Sequence, residues 1–352
     1  MLLDFDDVLI EPCIISDIRS RSLVDPYDQM KMLPLFTAPM DSVVSPENFN
    51  IFNDSGIYSI IPRKSSYTEK DVSYDPKVWI AYGLEDFKSL FIDNIINNSG
   101  KFYVLIDIAN GHMRDLIDSV AAAKTIYGDD MVLMAGNCAH PLTYLAMAQA
   151  GADYVRMGIG NGGGCLTTVQ TGVGYPMASL IIESAAIQME RNLNAKIVAD
   201  GGFKKYSDII KALALGADYV MLGSIFNKAL ESAGETFEEN IKYNSWTEPG
   251  EKVDQYSEKV SNEFGLGRKF YKKFRGMSTK EVQMSLGKKE VKTSEGISKI
   301  QQVEYTLSGW TENFTHYLKS TMSYTDTATL GEFVGKVEWN VITRNSFERF
   351  NK

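Results

Sequence analysis

The sequence predicts an α/β fold: a single (β/α)₈ TIM barrel with a long flap inserted after its last strand. Three observations predict it. Short apolar runs alternate with longer amphipathic stretches, the signature of repeated βα units, and eight such runs can be found. The length, 352 residues, suits one barrel with insertions. Glycine-bearing motifs close strand after strand, at the end where barrels of this kind build their sites.

In chain order the strands are "PLFTAPM" (34–40), "GIYSII" (56–61), "VWIAYG" (78–83), "FYVLIDIA" (102–109), "MVLMAG" (131–136), "ADYVRMGI" (152–159), "AKIVAD" (195–200) and "ADYVMLGS" (217–224). Between them, "RDLIDSVAAAKTIYG" (114–128) and "YSDIIKALALGA" (206–217) space apolar residues by three and four, as helices do. Residues 225–300 break the rhythm: they are polar and charged, and read as a lid. Helical character resumes in "LSGWTENFTHYLKSTM" (307–322). The domain reading is therefore one catalytic barrel over 1–352, with a flap at about 225–300 and a helical C-terminal segment at about 301–352.

A formal net charge of −9 argues against a general nucleic-acid binder, which would present a basic face. "KFYKKFR" (269–275) and "KKEVK" (288–292) are local exceptions, readable either as solvated edges or as contacts to an anion. The apolar runs are too short to span a bilayer, so no membrane association is expected. "MLLDFDDVLIEP" lacks the basic start of a secretory signal. Cys13, Cys138 and Cys165 are odd in number and far apart, which points to a reducing cytoplasm rather than a disulfide framework. His112, His140 and His316 lack zinc-like spacing and give little support to a Ser-His-Asp triad.

Five motifs fall at strand ends: "APMD" (38–41), "DIANG" (107–111), "GNGGGC" (160–165), "ADGGF" (199–203) and "LGS" (222–224). The loops after the seventh and eighth strands are the usual phosphate site of such barrels. A cysteine behind three glycines could be a nucleophile, a metal ligand or a small loop residue.

These motifs, with "LLDFDDVLIEP", "MAGN", "GIGNGGGCLTTVQTGVGYP", "ADGGFKKYSDIIKALALGADYVMLGS", "RGMS", "SEG" and "STMSY", resemble the IMP dehydrogenase/GMP reductase family nearly end to end. The resemblance implies that Cys165 attacks C2 of a purine nucleotide, with Thr167 and Glu295 handling the proton that leaves with ammonia. It implies a substrate set of Met40, Asp200, Gly201, Gly202, Gly223, Ser224, Gly276, Met277, Ser278, Lys292 and Gly296. Asp200 would meet the ribose, the glycine turns and Ser224 the phosphate, and residues 276–278 the purine edge. For NADPH it implies Arg63, Asp107, Ile108, Ala109, Ile159 and Gly160 at the barrel mouth. Ser20 and Arg21, which would reach a neighbouring subunit's cofactor, and Ser320, Thr321, Met322 and Ser323 complete that set. Backbone carbonyls of Gly160, Gly162 and Cys165 would take a monovalent cation such as K⁺, and a homotetramer is implied.

Within the family the sequence is similar to the reductase. The second strand runs on to the third without a regulatory insert, and "DIANG" is the reductase form. Residues 279–293 contain no arginine or tyrosine, only Lys280, Lys288, Lys289 and Lys292 as cations, so the dehydrogenase's water-activating pair has no place. Departures are "APMD", which resembles the dehydrogenase, Asn161-Gly162-Gly163 in place of Pro-Gly-Ser, and Leu166 in place of threonine. The expected activity is reduction of GMP, or a close 2-aminopurine nucleotide such as dGMP, to IMP. The alternatives are a dehydrogenase without its regulatory domain and a catalytically altered purine-nucleotide-binding protein.

Overall fold

The computed structural model describes residues 1–68, 70–96, 100–239, 250–276, 279–286 and 296–350. Eight parallel strands form the central sheet: β1 (Leu35–Thr37), β2 (Ser59–Ile61), β3 (Val78–Tyr82), β4 (Phe102–Asp107), β5 (Met131–Cys138), β6 (Tyr154–Met157), β7 (Lys196–Asp200) and β8 (Tyr219–Leu222). Each strand pairs with its neighbour in sequence, and β8 returns to β1. The last seam closes at a parallel bridge between Phe36 and Tyr58, where Tyr58 N donates to Leu35 O at 3.0 Å and Thr37 N to Tyr58 O at 2.9 Å. The predicted barrel is therefore closed, and seven of the eight strands lie within runs read from the sequence, while β5 continues to Cys138, two residues past the run 131–136.

Aromatic side chains fill the barrel interior. Phe36 stacks on Tyr58 with ring centroids 4.9 Å apart and meets Trp79 edge-on at 5.6 Å, and Trp79 meets Tyr154 at 5.1 Å. Tyr58 and Tyr219 both donate their hydroxyls to Asp28, on the segment leading into β1. This plug seals the N-terminal end and leaves the opposite end to hold a cavity. Outside, helix Arg114–Tyr127 turns Leu116, Val120 and Ala123 inward at the expected spacing and stops at Gly128, whose φ is +52°.

The insertion is more ordered than its polar composition suggests. After a single turn at Ser224–Asn227, strands β9 (Thr236–Glu238), β10 (Lys252–Val253), β11 (Phe270–Arg275) and β12 (Ser298–Gln302) pair antiparallel in the order β10-β9-β11-β12. In β11 the alternation is real but masked: Phe270, Lys272 and Phe274 are buried, while Tyr271, Lys273 and Arg275 are half-buried. A lysine at an inward position hides the period of two from composition. The local basic run turns out to be paired: Lys269 faces Glu239 at 3.5 Å, Arg275 grips Asp41, and Lys272 Nζ donates to Ser232 O at 2.6 Å.

Helix Leu307–Tyr324 then packs Trp310, Phe314, Leu318 and Met322 onto the barrel. Near the C-terminus, Trp339–Val341 pairs antiparallel with Val8–Ile10, which brings the two ends of the chain together. No described helix is long and apolar enough to cross a membrane.

Candidate active site

A cavity of about 190 Å³ opens at the C-terminal end of the barrel strands. All five strand-end motifs contribute to its wall, and β11 and the Gly296 end of the flap cover it.

Cys165 lies half-buried in this wall, on the loop after β6. Its thiol donates to Thr167 Oγ1 at 3.2 Å, and its N–H donates back to Gly162 O at 2.9 Å. The glycines around it answer two packing demands. Gly160 has φ +79°, and a Cβ there would sit 1.7 Å from Thr168 Oγ1. At Gly276 a Cβ would fall 2.5 Å from Gly164 O, so flap and cysteine loop touch backbone to backbone. That contact is a short ladder: Cys165 bridges Gly296, Ile297 N donates to Gly164 O at 3.0 Å, and Gly276 N donates to Ile297 O at 2.9 Å.

The turns Gly201-Gly202 and Gly223-Ser224 follow β7 and β8 and wall the same cavity, with Met40 against Gly223. Gly163 stands beside Ser224, where a Cβ would lie 3.4 Å from Ser224 Oγ. The glycine that replaces the family's serine thus lies next to another hydroxyl.

The same cavity wall carries a chain of alternating charge. Arg156 on β6 is only 8% exposed. It donates from Nη1 to Asp107 Oδ1 at 2.6 Å and from Nε to Asp200 Oδ2 at 3.0 Å, with Nη2 2.9 Å from that same oxygen. Arg63 Nε stands 3.0 Å from Asp107 Oδ2, and Asn137 Nδ2 donates to Asp200 Oδ2 at 2.8 Å. Burial alone would lower the Arg156 pKa, but the carboxylates of Asp200 and Asp107 outweigh it and hold the guanidinium charged, above its ordinary value. Sequence reasoning named Asp107, Asp200 and Arg63 but missed Arg156 and Asn137. The signal was there: an arginine inside the apolar strand "ADYVRMGI" must be buried with a counter-charge.

The other expected residues divide into three groups. Gly160, Gly162, Ile159 and Ala109 line the cavity, and Ile108 is half-buried beside it in sequence. Of the three carbonyls read as a cation site, that of Gly162 already accepts a bond from Cys165. Ser20 and Arg21 lie instead on a second cavity, which shares no lining residue with the first. Arg21 Nη1 reaches Ser320 Oγ there at 3.5 Å, so the N-terminal and C-terminal members of the expected cofactor set meet each other. Thr321 and Ser323 are half-buried on the same helix, and the Met322 side chain is fully buried in the core. Met277, Ser278, Lys292 and Glu295 lie outside the described residues.

Residues 93–350 match the profile of the IMP dehydrogenase / GMP reductase domain. The chain belongs to the IMP dehydrogenase/GMP reductase family. It is 32% identical over 257 residues to a GMP reductase of Buchnera aphidicola, covering 68% of this chain and 72% of that one. GMP reductases of Shewanella pealeana and Aliivibrio fischeri are each 33% identical, over 257 and 258 residues, and in both cases 68% of this chain and 73% of the relative are covered. The chain is thus an enzyme of an oxidoreductase family.

Proposed function

We propose that this enzyme reduces GMP, or a close 2-aminopurine nucleotide such as dGMP, to IMP and ammonia at the expense of NADPH. The observation that carries the reading is the Cys165 thiol, paired with Thr167 at 3.2 Å in a cavity that two glycine turns also line. The relatives named GMP reductase support the same direction.

In this reading the Cys165 sulfur adds to C2 of the purine. The C2–N bond breaks, and the amine leaves as ammonia with a proton delivered through Thr167 and Glu295, because an unprotonated amine is a poor leaving group. A C2–S thioimidate remains. NADPH, when bound, supplies a hydride to C2, and the C–S bond then breaks to release IMP and regenerate the cysteine. Gly201, Gly202, Gly223 and Ser224 hold the phosphate. Asp200 accepts from the ribose. Gly276, Met277 and Ser278 meet the purine edge, Met40 packs on its face, and Lys292 and Gly296 complete the substrate set.

The dinucleotide is assigned to Arg63, Asp107, Ile108, Ala109, Ile159 and Gly160, a reading supported by the fact that all but Ile108 line the same cavity as Cys165. Ser20, Arg21 and Ser320–Ser323 would serve a neighbouring subunit, in keeping with a homotetramer of single-domain cytoplasmic chains. A potassium ion on the carbonyls of Gly160, Gly162 and Cys165 belongs to the same proposal.

The direction is tested by comparing GMP-dependent NADPH oxidation with IMP-dependent NAD reduction, including the deoxynucleotides. GMP reduction should dominate. IMP oxidation at an equal or higher rate would sink the directional reading.

A further inference from the structure

Arg156 touches both halves of the cavity wall. We propose that it is a positioning residue that sets the carboxylate of Asp200 for a sugar hydroxyl and couples it, through Asp107, to the dinucleotide side. The inference rests on the ribose role given to Asp200 above.

The argument is geometric. A guanidinium is planar, so three N–H contacts to two carboxylates fix both its position and its tilt. On Asp200 all contacts fall on one oxygen: Arg156 Nε at 3.0 Å, Arg156 Nη2 at 2.9 Å and Asn137 Nδ2 at 2.8 Å. Asn137 Nδ2 is itself held by Gly158 O at 2.9 Å. None of these contacts uses Oδ1, which is left as the acceptor for a ligand on a residue that lines the cavity. Asp107 differs. Its Oδ1 takes Arg156 at 2.6 Å and its Oδ2 faces Arg63 at 3.0 Å, so both oxygens are engaged and the carboxylate acts as an anchor. Arg63, Asp107, Arg156 and Asp200 thus alternate in sign and sum to zero. In a site shielded from water, such a chain moves as a unit, because separating any neighbouring pair leaves a buried charge uncompensated. A change at Asp107 is passed to Asp200 through Arg156.

The test measures binding of GMP and of 2′,3′-dideoxy-GMP to the full chain by calorimetry, without dinucleotide. Wild type should prefer GMP by at least about tenfold, the effect expected of a hydroxyl on a charged acceptor. In Arg156→Gln the preference should fall to within about threefold, and Arg156→Lys, which keeps a cation between the carboxylates, should restore part of it. Asp107→Asn, remote from the sugar, should lower the preference by at least about threefold. A merely structural arginine would weaken both nucleotides equally and leave their ratio intact. An unchanged ratio in Arg156→Gln overturns the inference, as does an unchanged ratio in Asp107→Asn where the harsher variant does not fold. Equal binding of both nucleotides by wild type removes the ribose role of Asp200 and the inference with it. A wild type that binds neither nucleotide overturns the functional reading instead.

Discussion

Cys165 owes its place to its neighbours. The loop before it bends where only glycine fits, the flap backbone lies directly against it, and Thr167 offers an oxygen to its thiol. A thiol so placed can attack a purine carbon held against it, and it contributes little to holding the nucleotide in the ground state. Cys165→Ala should therefore abolish GMP-dependent NADPH oxidation. It should leave the GMP dissociation constant within about threefold, since one thiol contact is worth less than about 1 kcal/mol. Calorimetry beside a steady-state assay checks both halves, and residual turnover at the wild-type rate would remove Cys165 from the chemistry.

The flap sheet is held to the barrel by polar contacts. Arg275 pairs with Asp41 of the loop after β1, with Nε 3.1 Å from Oδ1, so this loop anchors the flap. Gly234 N donates to Ser42 O at 3.0 Å on the same loop. On the inward face of β11, Lys272 is fully buried, and its ammonium donates to Ser232 O at 2.6 Å and Gly234 O at 3.3 Å. Burial pushes its pKa down from 10.5 to about 7, only partly offset by Glu231. The sign follows directly. Between pH 7 and 10.5 the unfolded chain holds a proton at this site that the folded chain has given up. Stability at this site therefore rises with pH through that window, by up to about 1.4 kcal/mol per unit, and is lost again as the pH falls to 7. Urea unfolding at pH 7, 8 and 9 should show wild type gaining at least about 1 kcal/mol relative to Lys272→Met. Parallel stability curves for the two proteins would refute this account of the flap.

Across the molecule, the two ends of the barrel have separate tasks. The N-terminal end is packed shut by Phe36, Tyr58, Trp79, Tyr154 and Tyr219, with Asp28 taking two of the hydroxyls. The other end is lined by glycine turns and paired charges, which leave room for a ligand. Phe36 is buried among four aromatic rings, so Phe36→Ala opens a cavity that rigid neighbours cannot fill. The expected loss is about 3–5 kcal/mol of unfolding free energy. Nucleotide affinity of the variant that remains folded should stay close to wild type, because Phe36 itself does not line the cavity. Denaturant unfolding gives the first quantity and nucleotide titration the second, and a small loss of stability would mean that the plug repacks.

The sequence by itself determined the barrel, because a buried parallel strand must be a short apolar run and a crossover helix must be amphipathic. Both signals are local, and all eight strands were legible from them. It also determined which strand ends carry chemistry, since glycine runs, a lone cysteine and an aspartate stand out in otherwise apolar surroundings. Only the tertiary structure decided how the insertion folds. Its antiparallel pairings join residues far apart in sequence, such as Lys272 with Gln301 and Thr236, and a lysine at an inward position disguises the alternation. Only the structure, too, linked Asp107 to Asp200. These residues lie on the fourth and seventh strands, and the guanidinium that joins them comes from the sixth, so no spacing along the chain reveals a contact that barrel closure creates.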